Sequence, residues 1–106
     1  MTEYLSVTIT AGTANEAETI ATALVDDNLA ACVNIFGDVR SIYRWNGKTE
    51  KTNEWVLMAK TTAEKYPSLE NRVRQLHSYE CPCIVTTPIV AGSNDYLDWI
   101  KKGRLD

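Results

Sequence analysis

The sequence predicts an α+β domain built in the order strand, helix, two strands, helix, strand, with a short helix near the C-terminal end. Apolar stripes with helical spacing lie in residues 13–28 and 66–77, and strand-like runs stand before, between and after them. The pair Asn46-Gly47 favours a tight hairpin between the second and third strands. Two strand–helix–strand units that share one sheet give the ferredoxin-like β-α-β-β-α-β sandwich. With 106 residues and no visible linker, the chain is predicted to be a single domain over residues 1–106.

The first strand and helix are predicted from an alternating run followed by a capping signal. Residues 4–10 alternate apolar and polar side chains, as in a half-buried strand. Thr13 with Glu16 three residues later is typical of a capping box, which begins a helix. This helix is expected to end at Asp26-Asp27-Asn28. Its apolar stripe consists of Ala17, Ile20, Ala21, Leu24 and Val25.

The middle of the chain is predicted to be a long hairpin. The run LAACVNIF is short and apolar, as expected of a strand that is buried on both faces. Gly37-Asp38 after it indicates a bulge or bend. The outer part of the hairpin carries Tyr43 and Trp45, large side chains that a monomer would not leave in water together. Exposed strand edges and aromatic side chains together predict a homo-oligomer.

The last third of the chain is predicted to hold a helix, a strand and a final short helix. Pro67 is compatible only with the first turn of the second helix, which is expected to end near His77. The run CIVTTPIV reads as a strand, and Pro88 within it favours the edge of a sheet. Ser93 can cap the final helix. The apolar stripe of the second helix is Tyr66, Leu69, Val73 and Leu76.

Composition excludes several classes of function. The 11 basic and 14 acidic residues give a net charge of −3, and no basic run is present, so nucleic-acid binding is not expected. No apolar run approaches the roughly 20 residues that span a bilayer. The N-terminus shows no signal-peptide pattern, which predicts a cytoplasmic protein without membrane contact. Three cysteines are an odd number, which favours reduced thiols in that compartment.

The segment HSYECPCI, residues 77–84, contains the single histidine and two of the three cysteines. Cys81 precedes Pro82, and a residue before proline is pushed into extended geometry. Alternate residues of an extended chain face the same way, so Cys81 and Cys83 could converge on one ion. Thiolates together with the imidazole of His77 would favour a soft ion such as Cu(I), or else Zn²⁺.

Two other interpretations of the same segment stay open. In the first, His77 ends the helix and its ring satisfies the last carbonyls. The helix dipole at this end favours the protonated ring. The cysteines then pack as small apolar residues. Cys32 is assigned to the core in the same way. In the second, a cysteine nucleophile is paired with His77 as base and Glu80 as orienting group. No cysteine lies at a predicted helix N-terminus or oxyanion turn, so no enzymatic activity is expected.

Five stretches of the chain resemble the CutA family of divalent-cation tolerance proteins. They are LVDDNLAACVNI, SIYRWNGK, LMAKTT, LHSYECPCI and TPIVAGSNDYLDWI, and the resemblance covers the chain from Tyr4 to Ile100 in the family's order and spacing. It implies a ferredoxin-like fold and a homotrimer in which long hairpins complete sheets between subunits. It also implies architectural kinship with the PII signalling proteins, a link to copper tolerance and metal binding, and no established enzymatic activity.

The family's histidine motif is matched in part. Where family members commonly read His-Pro-Tyr-Glu-x-Pro-Glu, this chain has Ser78 in place of the first proline and Cys83 in place of the last glutamate. The expected metal ligands are therefore His77, Cys83 and Cys81. The expected metal is copper, as Cu(I) or Cu(II), or another divalent ion.

A cleft between subunits is the second candidate site, because such clefts commonly hold small molecules. The residues expected near it are Lys60, Tyr79, Glu80 and Trp99, with Tyr96 beside them. Each has a purely structural alternative: the aromatic side chains of the last helix could clamp that helix, and Lys60 could pair with an acid. The predicted function is a CutA-like trimer in copper tolerance, and the alternative is a PII-like signalling or scaffold trimer that binds a small molecule or a protein partner.

Overall fold

The computed structural model describes residues 3–103, which form three helices and a four-stranded antiparallel sheet. Residues 1–2 and 104–106 of the predicted domain lie outside the described residues. The strands of the sheet stand in the order second, third, first, fourth. The elements are β1 (Tyr4–Ala11), α1 (Ala14–Asp26), β2 (Cys32–Trp45), β3 (Lys48–Thr62), α2 (Tyr66–Leu76), β4 (Ile84–Pro88) and α3 (Asn94–Lys102).

The core lies between α1, α2 and one face of the sheet. On the two central strands Val7 pairs with Ala59 and Ile9 with Leu57, and all four side chains are fully buried. The apolar stripes predicted for both helices pack against this face of the sheet. Val25 is the exception, because it is 43 % exposed. Both helices are therefore confirmed with their buried faces. The helical core residues are Ala17, Ile20, Ala21, Leu24, Leu69 and Val73.

The predicted capping box begins α1. The hydroxyl oxygen of Thr13 accepts a hydrogen bond from the backbone N–H of Glu16 at 3.1 Å. The carboxylate of Glu16 accepts in return from the N–H of Gly12, at 3.3 Å. The helix ends at Asp26 with Asp27 as its cap, as the sequence indicated.

The prediction that LAACVNIF is buried on both faces is wrong. The strand β2 is an edge strand that pairs only with β3, so its apolar residues have a neighbour on one side only. Ile35 is 38 % exposed and Phe36 51 % exposed. Cys32, which was assigned to the core, is half-buried, because it lies on the sheet face that α1 and α2 do not cover.

The bulge predicted at Gly37-Asp38 is confirmed, since the register of β2 and β3 shifts between Phe36 and Val39. Beyond it the hairpin continues to Asn46 and Gly47, both at positive φ as the turn requires. The arm extends the molecule to 48 × 25 × 23 Å, with a radius of gyration of 14.4 Å. A compact domain of this length has a radius of gyration of ~13 Å, so the arm projects from the core.

The C-terminal part closes the other side of the molecule. The strand β4 pairs only with β1, which confirms the edge position inferred from Pro88. Ser93 caps α3 by accepting from the N–H of Tyr96 at 3.3 Å, and Ile100 of this helix is 2 % exposed. Within residues 3–103, none of the helices combines the length and apolar content needed to cross a bilayer.

Candidate functional site

A cavity of about 490 Å³ lies at the base of the hairpin, between the arm and the loop that joins α2 to β4. Its walls come from four parts of the chain: the end of β1, the outer half of β2 up to the hairpin turn, Glu54 on β3, and the α2–β4 loop. The lining residues are Thr10, Ser41, Tyr43, Trp45, Glu54, Tyr79, Glu80, Cys81 and Cys83.

The strand pairing explains why these side chains share one face. Thr10 pairs with Val56, which puts it on the same face of the sheet as Glu54, two residues before Val56. Val39 pairs with Glu54 directly after the bulge, so the residues at alternate positions beyond it, Ser41, Tyr43 and Trp45, continue on that face. This is the face opposite to α1 and α2.

Glu54 and Tyr79 join the sheet to the α2–β4 loop. Glu54 is 7 % exposed, and its Oε2 accepts a hydrogen bond from the Tyr79 hydroxyl at 2.9 Å. Burial, together with the hydrogen bond and negative charge of Glu54, raises the pKa of Tyr79 to about 12. The phenol therefore stays protonated at neutral pH and acts as a hydrogen-bond donor to the carboxylate.

Both ring nitrogens of His77 are already bonded. Nε2 lies 2.6 Å from the carbonyl oxygen of Thr10, and Nδ1 accepts from the backbone N–H of Tyr79 at 3.1 Å. A carbonyl can only accept, so a proton on Nε2 is donated to Thr10, while Nδ1 is the acceptor for Tyr79. His77 thus ties the loop to β1 instead of satisfying the last carbonyls of α2.

Glu16 holds the start of the same loop. Its Oε2 accepts a hydrogen bond from the backbone N–H of Ser78 at 2.7 Å. Partial burial opposes ionisation, but the hydrogen bonds from Ser78 and Gly12 outweigh it and lower the pKa of Glu16. The capping carboxylate of α1 therefore also positions the residues that lead into the cavity.

Cys81 and Cys83 are exposed and both line the cavity, so they do not pack as core residues. Burial and the negative charge of Glu54 raise the pKa of the Cys83 thiol, against a hydrogen bond with Thr10 that works in the other direction. A raised pKa is the opposite of what an activated nucleophile requires. The bonds made by His77 also go to backbone groups and not to a thiol.

Whether a metal ion fits here depends on the donor groups. Within residues 3–103, no group of three or more His, Cys, Asp or Glu side chains is gathered closely enough to hold one ion. His77 could serve as a ligand only if one of its two hydrogen bonds broke. The two thiols at the cavity are the donors that are free of such bonds to the backbone, so the predicted set is reduced to Cys81 and Cys83 in a single chain.

The residues predicted for a small-molecule cleft separate into two groups. Tyr79 and Glu80 line the cavity. Lys60 pairs with Ser6 and Cys32 at the far end of the sheet, and Trp99 lies on α3 beside Tyr96, so neither lines the cavity of one chain. Their place in a cleft between subunits stays a prediction.

Sequence reasoning missed Glu54, Thr10 and Ser41 in this site. The sequence indicates Tyr43 and Trp45 only as contacts between chains. The signal for Glu54 was its position directly before the apolar run that begins at Trp55, where β3 enters the body of the sheet. A carboxylate at such a point is buried only if a partner from elsewhere meets it, and Tyr79 is 25 residues away in sequence.

Fold and site together define a small α+β protein whose one open sheet face carries an acidic, thiol-containing cavity. The chain belongs to the CutA1 family, described as divalent ion tolerance protein, whose model matches residues 5–103.

Known relatives agree with this assignment over most of the chain. The divalent-cation tolerance protein CutA of Thermus thermophilus is 47 % identical over 96 residues, which is 91 % of this chain and 93 % of that one. The CutA of Archaeoglobus fulgidus is 44 % identical over 94 residues, covering 89 % and 91 %. The Archaeoglobus protein is described as periplasmic.

Solved structures confirm the architecture. The Thermus thermophilus protein superimposes with a TM-score of 0.93 at 45 % identity, covering 94 % of this chain and 97 % of that chain. CutA1 from the psychrotrophic bacterium Shewanella sp. SIB1 gives 0.94 at 40 % identity, covering 96 % and 95 %.

Proposed function

We propose that this protein acts in divalent-metal tolerance as a non-enzymatic homotrimer of ferredoxin-like subunits and binds copper, as Cu(I), between Cys81 and Cys83. The observation that carries the proposal is that both thiols line the same cavity. Membership in the divalent ion tolerance family supports the role.

Cu(I) is the copper state that matches these donors. Thiolates are soft ligands and select Cu(I), whereas Cu(II) and Zn²⁺ prefer sites with more donors, including imidazole. Two thiolates are enough for Cu(I), because this ion accepts linear coordination. His77 then keeps its hydrogen bonds and serves to position the loop. Cys83 must lose its proton on binding, which its raised pKa makes harder.

Titration of reduced protein with Cu(I) against a competing chelator tests the proposal. Cys81→Ser and Cys83→Ser are each expected to weaken binding at least about tenfold, which corresponds to about 1.4 kcal/mol. Cys32→Ser is the matched control, because this third cysteine lies beside Tyr96 and outside the cavity. Equal binding by the wild type and Cys83→Ser would reject the site.

The role of His77 in copper binding is tested separately. With His77→Gln the affinity for Cu(I) should stay within about twofold of the wild type, because neither ring nitrogen is used for the metal. A loss as large as that of the cysteine variants would return His77 to the ligand set.

The trimer is supported by the apolar side chains that one chain leaves uncovered. Phe36 is 51 % and Val85 54 % exposed on the open sheet face, and Ile42 is 64 % exposed on the arm. Light scattering after size-exclusion chromatography should give the mass of three 11.9 kDa chains. The mass of one chain would contradict the assembly.

A cytoplasmic location is part of the same proposal. It is supported by Cys32, Cys81 and Cys83, which are all free thiols, as a reducing compartment favours. Because the Archaeoglobus relative is described as periplasmic, cell fractionation is the deciding measurement. Recovery of the protein in the periplasmic fraction would refute this part.

A signalling or scaffold trimer that binds a small molecule is the second candidate. The observation that favours it is the size of the cavity, about 490 Å³, which far exceeds what a single ion needs. Such volumes are typical of small-molecule sites.

A further inference from the structure

We propose that Cys81 and Cys83 close a reversible disulfide bond across Pro82, which makes the α2–β4 loop a thiol–disulfide redox site. Its oxidant is a small-molecule disulfide such as oxidised glutathione. The bond also switches off the Cu(I) site, and this consequence alone rests on the proposed function. The pairing of the two cysteines stands whether or not copper binds to them.

The spacing of the two cysteines brings them within the reach of a disulfide. Residues i and i+2 of an extended chain point to the same side. Their Cα atoms are then about 6.4–6.8 Å apart, at the upper end of the range of about 4.4–6.8 Å that a disulfide bridges. Rotation about the backbone bonds between them shortens this distance. Both thiols are free and line the same cavity, so they lie on one side of the loop.

The loop is fixed at its first end and free to adjust at its second. The amides of Ser78 and Tyr79 are bonded to the carboxylate of Glu16 and the ring of His77. Beyond Tyr79, the described part of the chain shows no backbone hydrogen bond until β4 begins at Ile84. Closing the disulfide therefore moves a backbone that no strand ladder holds in place.

The third cysteine cannot compete for either thiol within the same chain. Cys83 lies beside Thr10, with which it makes a hydrogen bond. Cys32 lies in the row across the sheet that contains Ser6. From Ser6 to Thr10 the strand advances by about 13 Å, and a disulfide reaches no further than about 7 Å between Cα atoms. Within one chain, Cys81 is therefore the partner for Cys83.

The pairing does not depend on what covers the open sheet face or the arm. The loop leaves α2 in the helical layer and enters the edge strand β4, and both thiols belong to it. A neighbouring subunit on the sheet face or the arm therefore does not separate them. The oxidant has to reach only one of the two sulfurs, so the experiments below use the assembled protein.

The bond forms by two exchange steps. One cysteine, after losing its proton, attacks a sulfur of the external disulfide, and a mixed disulfide forms while one thiolate leaves. The second cysteine then attacks the protein sulfur of the mixed disulfide, which closes the Cys81–Cys83 bond and releases the second thiolate. The two cysteine sulfurs lose two electrons, and the external disulfide gains them and takes up the two protons.

A disulfide that spans one intervening residue closes a small ring and departs from the preferred disulfide geometry. Strained disulfides are easier to reduce and belong to the labile, regulatory kind. In a reducing compartment the loop therefore stays as the dithiol, and the disulfide forms when small disulfides accumulate. Such a response fits the cytoplasmic location proposed above.

Treatment of the reduced, assembled protein with oxidised glutathione, followed by peptide mass mapping, tests the bond. The peptide that contains residues 81–83 should lose both free thiols and carry no glutathione, and excess reduced glutathione should restore them. Cys32→Ser is the matched control and should give the same result. Two thiols that stay free, glutathione that stays on the wild-type loop, or a bond between two chains would each overturn the proposal.

The variants Cys81→Ser and Cys83→Ser test the two-step route. Each keeps one of the two sulfurs, so the reaction cannot proceed beyond the mixed disulfide. At least one of the variants should therefore retain glutathione on its remaining cysteine, in contrast to the wild type. If neither variant retains it, the route through a mixed disulfide is wrong.

Copper binding and disulfide formation are separable in the same proteins. Oxidised wild type should bind Cu(I) at least about tenfold more weakly than reduced wild type, and equal affinities would refute the switch. If the disulfide forms but the reduced protein binds no Cu(I), only the copper role is rejected. If Cu(I) binds but the thiols of the loop resist oxidation, only the redox site is rejected.

Discussion

Tyr79→Phe is the change that most directly tests how the cavity is built. The substitution removes one oxygen atom, the donor that holds the carboxylate of Glu54 at 2.9 Å. A hydrogen bond to a charged group contributes about 1.5–3 kcal/mol. Because Tyr79 is 37 % exposed, water can replace part of the bond, and we expect the lower end of that range, about 1.5 kcal/mol.

Guanidinium unfolding at one fixed protein concentration measures this cost. Fixed concentration is needed because the stability of an oligomer depends on it. The midpoint should fall while the slope of the transition stays the same, which indicates a change in stability and not in the surface exposed. In a Glu54→Gln background the same substitution should cost less, because the bond it removes is then neutral. The difference between the two costs is the coupling energy of the pair.

Tyr66→Phe is a matched control for this measurement. Its hydroxyl also donates to a carboxylate at 2.9 Å, that of Glu70. Glu70 lies at the surface and keeps an ion pair with Arg74 at 3.1 Å, so it is not left without a partner. We expect a clearly smaller effect than at Tyr79. Equal effects at the two sites, or a Tyr79→Phe cost that does not depend on Glu54, would refute the view that a buried carboxylate is held by the phenol.

Three further predictions concern the elements that frame the site. Gly37→Ala should destabilise the protein by about 1–3 kcal/mol, as overpacking does, because a Cβ there would lie 1.9 Å from the Trp55 ring. Thermal unfolding measures the loss, and an unchanged midpoint would contradict the close approach. Glu16→Gln should lower stability more at pH 7 than at pH 3, because a carboxyl whose pKa is lowered on folding stabilises above the unfolded value of about 4.3 and loses that effect as pH falls. Urea unfolding at both pH values checks this, and an equal difference at both would refute it. Ser93→Ala should cost about 0.5–2 kcal/mol of stability through loss of the α3 cap, whereas Ser93→Gly should cost only a few tenths. Urea unfolding of both variants measures these costs, and the reverse order would refute the role of Ser93 as the cap.

The helices and the hairpin could be predicted because their signals are local. Thr13 and Glu16 mark the start of α1, and Asn46-Gly47 marks the turn, without reference to any distant residue. The edge position of β2 could not be predicted in this way. The run LAACVNIF indicates that its apolar side chains are to be buried, but not by which element. On the sheet face that α1 and α2 do not contact, any burial has to come from another part of the protein or another chain.

The candidate site was predictable only where its residues are contiguous. Tyr79, Glu80, Cys81 and Cys83 come from one loop, so a motif could point to them. Glu54 reaches the same cavity through strand pairing, and no local pattern links it to Tyr79. Lys60 lies near the C-terminal end of β3, away from the part of the strand that lines the cavity of one chain.

The bulge in β2 explains why the sequence did not predict that Tyr43 and Trp45 line the cavity. Counting by twos from Cys32 through Phe36 leads to Ile42, not to Tyr43. The extra residue between Phe36 and Val39 moves the alternation from even to odd positions. Tyr43 and Trp45 thereby stay on the face that carries Glu54.

The two walls of the cavity therefore depend on separate parts of the chain. The thiols are placed by the loop that His77 and Glu16 tie to β1 and α1. The aromatic rings are placed by the hairpin, through its bulge and turn. Glu54 connects the two parts, since it accepts a hydrogen bond from Tyr79 of the loop and lies on β3, which pairs with β2 in the hairpin. Copper binding should accordingly tolerate changes near the hairpin turn, whereas loss of the Glu54 charge should strengthen it, because that charge raises the pKa of the Cys83 thiol.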